Sequence, residues 1–263
     1  MQLKWNIHSH TKRCHHAGGT EEEMILAAIR AGLATMGFAD HTPMPFKNGF
    51  ISGIRMLPEE LPGYVKTLLE LREKYRGTIE IPIGLETEYF PGLFEDYMEM
   101  IKDSGIEFLI LGQHYLFNEE FSPYMGRETK DESILVNYVN QTCEAVDTGV
   151  FTYVAHPDIL HFKGNESAYV REMRRLCEHA AKAGIALELN VNGARDNRHY
   201  PNPVFWRIAG EAGCQAVIGL DSHNPKFVDL PEAEEKCRAI AADAGIPVLE
   251  SVPLIPVDEW RRK

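Results

Sequence analysis

Seven short apolar runs in this 263-residue chain each lead straight into side chains that can hold a proton, a cation or an anion. The runs are Leu3–His8, Ala34–Ala39, Ile79–Leu85, Phe108–Gly112, Phe151–Ala155, Ile185–Leu189 and Ala216–Leu220. Stretches with helical periodicity separate them. Thr20 opens "TEEEMILAAIRAG", in which Glu23, three residues on, makes a capping box and Gly32 a C-terminal stop. Pro58–Tyr75, Glu132–Val146, Ala168–Ala183, Pro203–Ala212 and Glu232–Ala244 read as further helices. Continuous apolar strands alternating with helices require a parallel sheet covered on both faces. Seven such units in one chain predict a closed or nearly closed β/α barrel rather than an open sheet. No linker divides the chain, so residues 1–263 read as one domain. Pro43–Gly53 is the most loop-like insertion and reads as a flap.

The polar groups fall at the same end of every run. The first gives His8 and His10, the second Asp40 and His41, and the third Glu86 and Glu88. The fourth gives His114 and the fifth His156 and Asp158. The sixth gives Asn190, Asn192 and then Arg195, and the seventh Asp221 and His223. Residues two apart on a strand share a face, so each HxH, ExE or DxH pair points one way. In a β/α barrel the carboxyl ends of all strands meet at one rim. A single histidine after a strand is an ordinary polar residue, and a single aspartate there is a helix N-cap. Seven consecutive strand ends furnished in this way point to metal binding. His161, His179 and His199 fall outside the pattern, His15 and His16 compete for one position, and Cys14 reads as a buried thiol.

Composition narrows the partners. The formal net charge is −12 with no long basic run, which disfavours a nucleic-acid backbone, and the terminal WRRK is too short to change that. The opening MQLKWNIHSH has no signal-peptide core, and no apolar run nears the roughly 20 residues of a membrane span. Five cysteines, odd in number and without CxxC spacing, read as free thiols. The expectation is a cytoplasmic protein that engages neither nucleic acid nor membrane. Its oligomeric state has no readable signal in the sequence.

Taken in order, "HSH", "DHTPMPF", "GLETEYFPG" and "GLDSHNP" resemble the PHP (polymerase and histidinol phosphatase) superfamily, in forms close to its histidinol-phosphate phosphatase branch. The resemblance covers essentially the whole chain. It implies a distorted (β/α)7 barrel with its active site at the carboxyl rim and a cluster of three divalent metals. His8, His10, Glu86 and Asp221 would hold the first. Glu86 would bridge to a second completed by His114 and His156, and His16, His41 and His223 would hold the third. His16 is preferred to His15 because the family's third histidine follows HxH by six positions. Asp40 takes a ligand-orienting place, and a metal-bound water, Asp40 or His223 is a candidate acid for the leaving group. Arg195 stands at the family's phosphate-binding position. Tyr115 would line the pocket, and Asp158 or Glu88 would meet a substrate ammonium. "LGQHYL" and "GLDSH" depart from the family's usual spelling without removing a ligand. "PDILHFK" lacks the basic residue the branch often carries, leaving His161 or Lys163 as substitutes.

A shell rich in neutral imidazole favours zinc, manganese or iron(II) over magnesium or calcium. Three dications against two carboxylates make a positive trap for phosphate in an acidic protein. The chemistry that follows is hydrolysis of a small phosphorylated substrate by a hydroxide formed on the metals, with no protein nucleophile. The resemblance implies L-histidinol phosphate as the leading substrate. The alternative is another small phosphomonoester, a phosphodiester or a nucleotide. A replication-associated nuclease module is disfavoured by the missing basic face.

Overall fold

The computed structural model describes residues 3–259, and the terminal WRRK, residues 260–263, lies outside them. Its strands are β1 (Trp5–Asn6), β2 (Thr35–Met36), β3 (Phe38–His41), β4 (Ile83–Thr87), β5 (Phe108–Leu111), β6 (Phe151–Val154), β7 (Ala186–Asn190) and β8 (Ala216–Gly219). All pair in parallel, β1 with β2 and then β3 through β8 in chain order. The run read as one strand over Ala34–Ala39 is β2 and β3. It breaks at Gly37, where a Cβ would lie 3.0 Å from the Ile7 backbone.

Backbone hydrogen bonds close the ring. Ala39 N donates to Ser9 O at 2.9 Å, and His10 N donates to Ser222 O at 2.9 Å. The first strand therefore lies between the second and the last, and seven strand segments form the wall, as the apolar runs require. Asn6 seals this seam from inside. Its Oδ1 accepts from Leu220 N at 2.9 Å, and its Nδ2 donates to Ser9 Oγ at 2.8 Å.

The helices are α1 (Glu21–Arg30), α2 (Leu61–Lys74), α3 (Phe94–Ile101), α4 (Glu132–Asp147), α5 (Glu166–Ala183), α6 (Val191–Arg195), α7 (Pro203–Glu211) and α8 (Pro231–Asp243). Thr20 and Glu23 form the expected capping box on α1. A 3-10 turn over Pro58–Glu60 precedes α2, so the helix read from Pro58 starts three residues later. Asn165 caps α5, which begins two residues before its expected start. Sequence reading missed α3, whose Phe94, Tyr97, Met98 and Ile101 do carry helical spacing. At eight residues and without a side-chain cap it is a weak signal. It also missed α6, a single turn capped by Asn190.

Alternation along the strands sorts the barrel interior by height. Ile7, Ala39, Phe108, Ile110, Tyr153, Ala186 and Val217 fill the amino-terminal half with apolar side chains. Gly84 leaves room for the Phe108 ring, which would lie 2.4 Å from an added Cβ. One step further along the same faces stand Glu86 on β4 and Glu188 on β7, both fully buried. The larger core lies between the strands and the helices. The insertion after β3 is irregular, as expected of Pro43–Gly53, but it is tied down by buried Met44, Ser52, Arg55 and Met56. Among the described residues no helix is long and apolar enough to cross a membrane. All five cysteines are free.

Replacing Asn6 by leucine keeps the volume and removes the acceptor of the buried Leu220 N–H. An orphaned buried donor costs about 1–3 kcal/mol. The expected result is a lower urea midpoint at unchanged slope. A midpoint equal to wild type would show that ring closure does not depend on this amide.

Candidate metal centre at the carboxyl rim

One carboxylate sits at the middle of the site. Glu86 has Oε1 2.8 Å from His156 Nε2, 3.5 Å from His114 Nε2 and 3.5 Å from His8 Nε2. Its Oε2 lies 3.0 Å from His41 Nδ1 and 3.5 Å from His10 Nε2. A second carboxylate, Asp221, places Oδ1 3.2 Å from His10 Nε2, 3.3 Å from His223 Nδ1 and 3.6 Å from His8 Nε2. His223 Nε2 faces His16 Nε2 at 3.0 Å. Ligand-type atoms within 4.8 Å of one another form the groups His8/His10/Asp221, His8/Glu86/His156, His10/His41/Glu86 and His16/His41/His223. All nine residues expected as ligands thus converge, from six of the seven strand ends; the β7 end supplies none of them. His15 is exposed at the end of a 3-10 turn over Lys12–Cys14 and belongs to none of these groups.

Most of the imidazoles are held from behind. His8 Nδ1 donates to Glu188 Oε1 at 2.6 Å, and His114 Nδ1 donates to Glu88 Oε1 at 3.0 Å. His16 Nδ1 lies 2.6 Å from Cys14 O, and His10 Nδ1 lies 3.6 Å from Asp40 Oδ1. Such backing fixes the tautomer and aims the other nitrogen inward. Glu188 was not among the residues singled out from sequence. Its signal was there: a charged side chain inside the apolar run "ALELN", two residues before Asn190 and hence on the same face. Its Oε2 also accepts from His156 N and Asn190 Nδ2, each at 3.0 Å. Cys14 groups with His10 and His223, but burial and then the nearby Asp40 push its thiol up to about 12.

The inward atoms are left without partners. His8 Nε2, His10 Nε2, His41 Nδ1 and Glu86 Oε2 are buried with no hydrogen bond. So many orphaned donor atoms in one spot are costly, and a set of imidazole and carboxylate lone pairs is what a divalent cation needs. Burial opposes ionisation of Glu86, but His114, His8 and His41 outweigh it and hold the carboxyl well below its usual range. Asp221 is held down likewise, by His8 and His10 against burial. Burial pulls His8 and His10 down, yet Glu188, Asp221 and Glu86 raise His8, and Asp221 and Asp40 raise His10 to about 9. Burial, with like charge from His10, takes His41 down to about 4 and also lowers His223. His156 and Asp221 have positive φ, 27° and 48°, a backbone state uncommon for non-glycine residues.

Above this floor opens a cleft of about 600 Å³ whose lining includes Ile54, Tyr115, Tyr124, Arg127, Arg195 and Arg198. Arg195 is paired with Asp196 at 2.7 Å and lies over the Phe227 ring at 3.8 Å. Arg127 and Arg198 supply positive charge that sequence reading did not assign; neither His161 nor Lys163 lines the cleft. His161 stacks on His199 at 4.1 Å, and His179 pairs with Asp147 at 2.8 Å.

Two expectations are corrected. Asp158 does not line the cleft. Its Oδ2 accepts from Asn202 N at 2.6 Å and Trp206 Nε1 at 3.1 Å, so it braces the start of α7 and cannot meet a substrate ammonium. Burial pushes its carboxyl up to about 7. Glu88, the other candidate, is committed to Arg55 and His114. Asp40 is sealed behind His10, accepting from Thr11 N at 3.1 Å and His41 N at 2.9 Å. Despite burial, His10 and Thr11 hold it below the usual carboxylate range, and it is fully buried and absent from the lining of the cleft, out of reach of a leaving group there.

Residues 6–192 match the family model described as PHP domain. A Deinococcus radiodurans protein named "Probable histidinol-phosphatase" is 30% identical over 235 residues, covering 86% of this chain and 89% of its own length. The histidinol-phosphatase of Bacillus subtilis (strain 168) is 23% identical over 249 residues, covering 82% and 92%. Among solved structures, the histidinol phosphate phosphatase of Lactococcus lactis subsp. lactis, complexed with zinc, L-histidinol and phosphate, superposes with a TM-score of 0.72 at 18% identity. That match covers 95% of this chain and 98% of the other, and it shows a shared fold.

Gly112 has an added Cβ 2.0 Å from Glu86 Oε1, so any side chain there displaces the central carboxylate. Gly112→Ala is expected to weaken Zn²⁺ binding by about tenfold or more. Calorimetric titration of chelator-stripped protein would read this. Wild-type affinity would show that Glu86 does not need its present position.

Proposed function

The chain belongs to the PHP domain family, and on that premise we propose that it is a metal-dependent phosphomonoesterase, one domain over its length, that hydrolyses L-histidinol phosphate to L-histidinol and phosphate. One observation carries the reading. Buried, unpartnered imidazole and carboxylate atoms form the floor of a cleft whose walls bear three arginines. The names of the relatives that align over most of their length support the substrate.

The donor set fits three divalent ions of the zinc, manganese or iron(II) type. His8, His10, Glu86 and Asp221 would hold one, Glu86, His114 and His156 a second, and His16, His41 and His223 a third. Such ions supply Lewis acidity toward phosphoryl oxygens and lower the pKa of water beside them. The rest is done by the chain. Arg195, with Arg198 and Arg127, presents planar guanidinium groups to the phosphate oxygens. Tyr115, Tyr124 and Ile54 form the wall available to the leaving alcohol. Of the two side chains that stand beside a metal-bound water as candidate acids for that alcohol, His223 lines the cleft and Asp40 does not. Asn192 Nδ2 donates to Asp221 Oδ2 at 3.1 Å and fixes that carboxylate from the substrate side.

A second reading has its own observation. Apart from Glu86 and Asp221, no described residue lining the cleft is a carboxylate, while three are arginines. That lining favours a small phosphomonoester without an ammonium group.

Chelator-stripped protein is expected to lose phosphate release and to regain it with manganese or zinc; turnover surviving full metal removal sinks the proposal. His10→Ala should abolish turnover with the circular dichroism spectrum retained. Arg195→Ala should raise KM for phosphomonoesters about tenfold or more, as expected for the loss of a charge-assisted hydrogen bond. A kcat/KM for histidinol phosphate orders of magnitude above that for generic phosphomonoesters supports the leading substrate, and comparable values favour the second reading.

A further inference from the structure

Arg55 lies in the insertion between β3 and α2, outside the set of residues that face the floor of the cleft, yet it is 2% exposed. A buried guanidinium is tolerated only where its donors are met. Here each nitrogen is engaged. Nη1 donates to Thr42 O and to Glu88 Oε2, both at 3.0 Å, and Nη2 donates to Glu88 Oε1 at 3.1 Å. Nε donates to Glu119 Oε2 at 2.8 Å, and Nη2 lies 2.7 Å from the same oxygen. Ser52 Oγ, three residues back in the insertion, donates to Glu119 Oε1 at 2.6 Å. Glu88 then carries the arrangement inward, since its Oε1 accepts from His114 Nδ1 at 3.0 Å and so turns His114 Nε2 toward Glu86. Ile54, the neighbour of Arg55, lines the cleft.

We infer that Arg55 is a positioning residue that couples the insertion to the metal centre: through Glu88 it aims His114 at its cation, and through Glu119 it holds the wall that carries Ile54 against the leaving group. The coupling rests on the reading of His114 as a ligand. The planar fork is what the place demands, because two carboxylates and a carbonyl are met in three directions at once. A lysine keeps the charge but offers a single point. Loss of either link acts on a different quantity. Releasing Glu88 loosens one ligand, whereas releasing Glu119 loosens the substrate wall.

The test uses Zn²⁺ titrated by calorimetry into the chelator-stripped full chain, followed by steady-state kinetics of the reloaded enzyme. Arg55→Lys and Glu88→Gln are each expected to weaken one class of Zn²⁺ site by about 10–100-fold while the other classes titrate as in wild type. Glu119→Gln is expected to leave all Zn²⁺ affinities within about twofold and to raise KM with little change in kcat, the split that marks loss of uniform binding. If Arg55→Lys fails to fold, Glu88→Gln decides the point. Zn²⁺ affinities at wild-type level in Glu88→Gln, or a uniform weakening of every site in step with the melting temperature, would overturn the coupling. A wild-type chain that takes up no Zn²⁺ would instead overturn the metal-centre reading itself.

Discussion

A buried carboxylate among five imidazoles governs this molecule. Glu86 can be ionised at the centre of the barrel only because His8, His10, His41, His114 and His156 reach it within 3.5 Å. Those histidines in turn can stay buried only with a negative group, or a cation held by it, at their centre. Each side makes the other tolerable. The five come from strands far apart in the chain, so the cluster exists only when the ring is closed and in register. The seam through Asn6, Ser9 and Ser222 brings the first strand, with His8 and His10, into that ring.

The barrel is built to leave room for charge. Two glutamates reach into its interior, and each lies over a glycine of the adjacent strand, Glu86 over Gly112 and Glu188 over Gly219. At both glycines an added Cβ would fall within 2.0 Å of a carboxylate oxygen. Below them the interior is apolar, from Ile7 to Val217. The polar half is thus held from beneath by packed hydrocarbon and from behind by Glu188, Glu88 and Asp40. Rigid backing of this kind lets several imidazoles hold their lone pairs toward one point.

Electrostatics of the surface and of the site run in opposite senses. The chain carries a formal charge of −12, yet the walls of its cleft bear Arg127, Arg195 and Arg198. The guanidinium groups of the cleft are thus set in a chain of opposite net charge. Arg55 shows the same economy inside the protein: one guanidinium satisfies Glu88 and Glu119 and fastens the insertion beside the cleft.

Much was legible in the linear order. Continuous apolar strands ending in His8, His41, Glu86, His114, His156 and Asp221 determined a parallel barrel and the rim at which its chemistry sits, because strand direction alone puts all those ends on one side. Capping residues such as Thr20 and Glu23 fixed where helices begin, since those are contacts between neighbours in the chain. What a carboxylate touches across the barrel is another matter. That Glu188 backs His8, that Asp158 turns away to brace α7, that Asp40 is sealed behind His10 and that Arg55 reaches Glu88 all depend on contacts between residues tens to hundreds of positions apart. Local periodicity carries no information on such pairings; only the closed ring, with its fixed strand stagger and its glycines, decides which partner each buried charge receives.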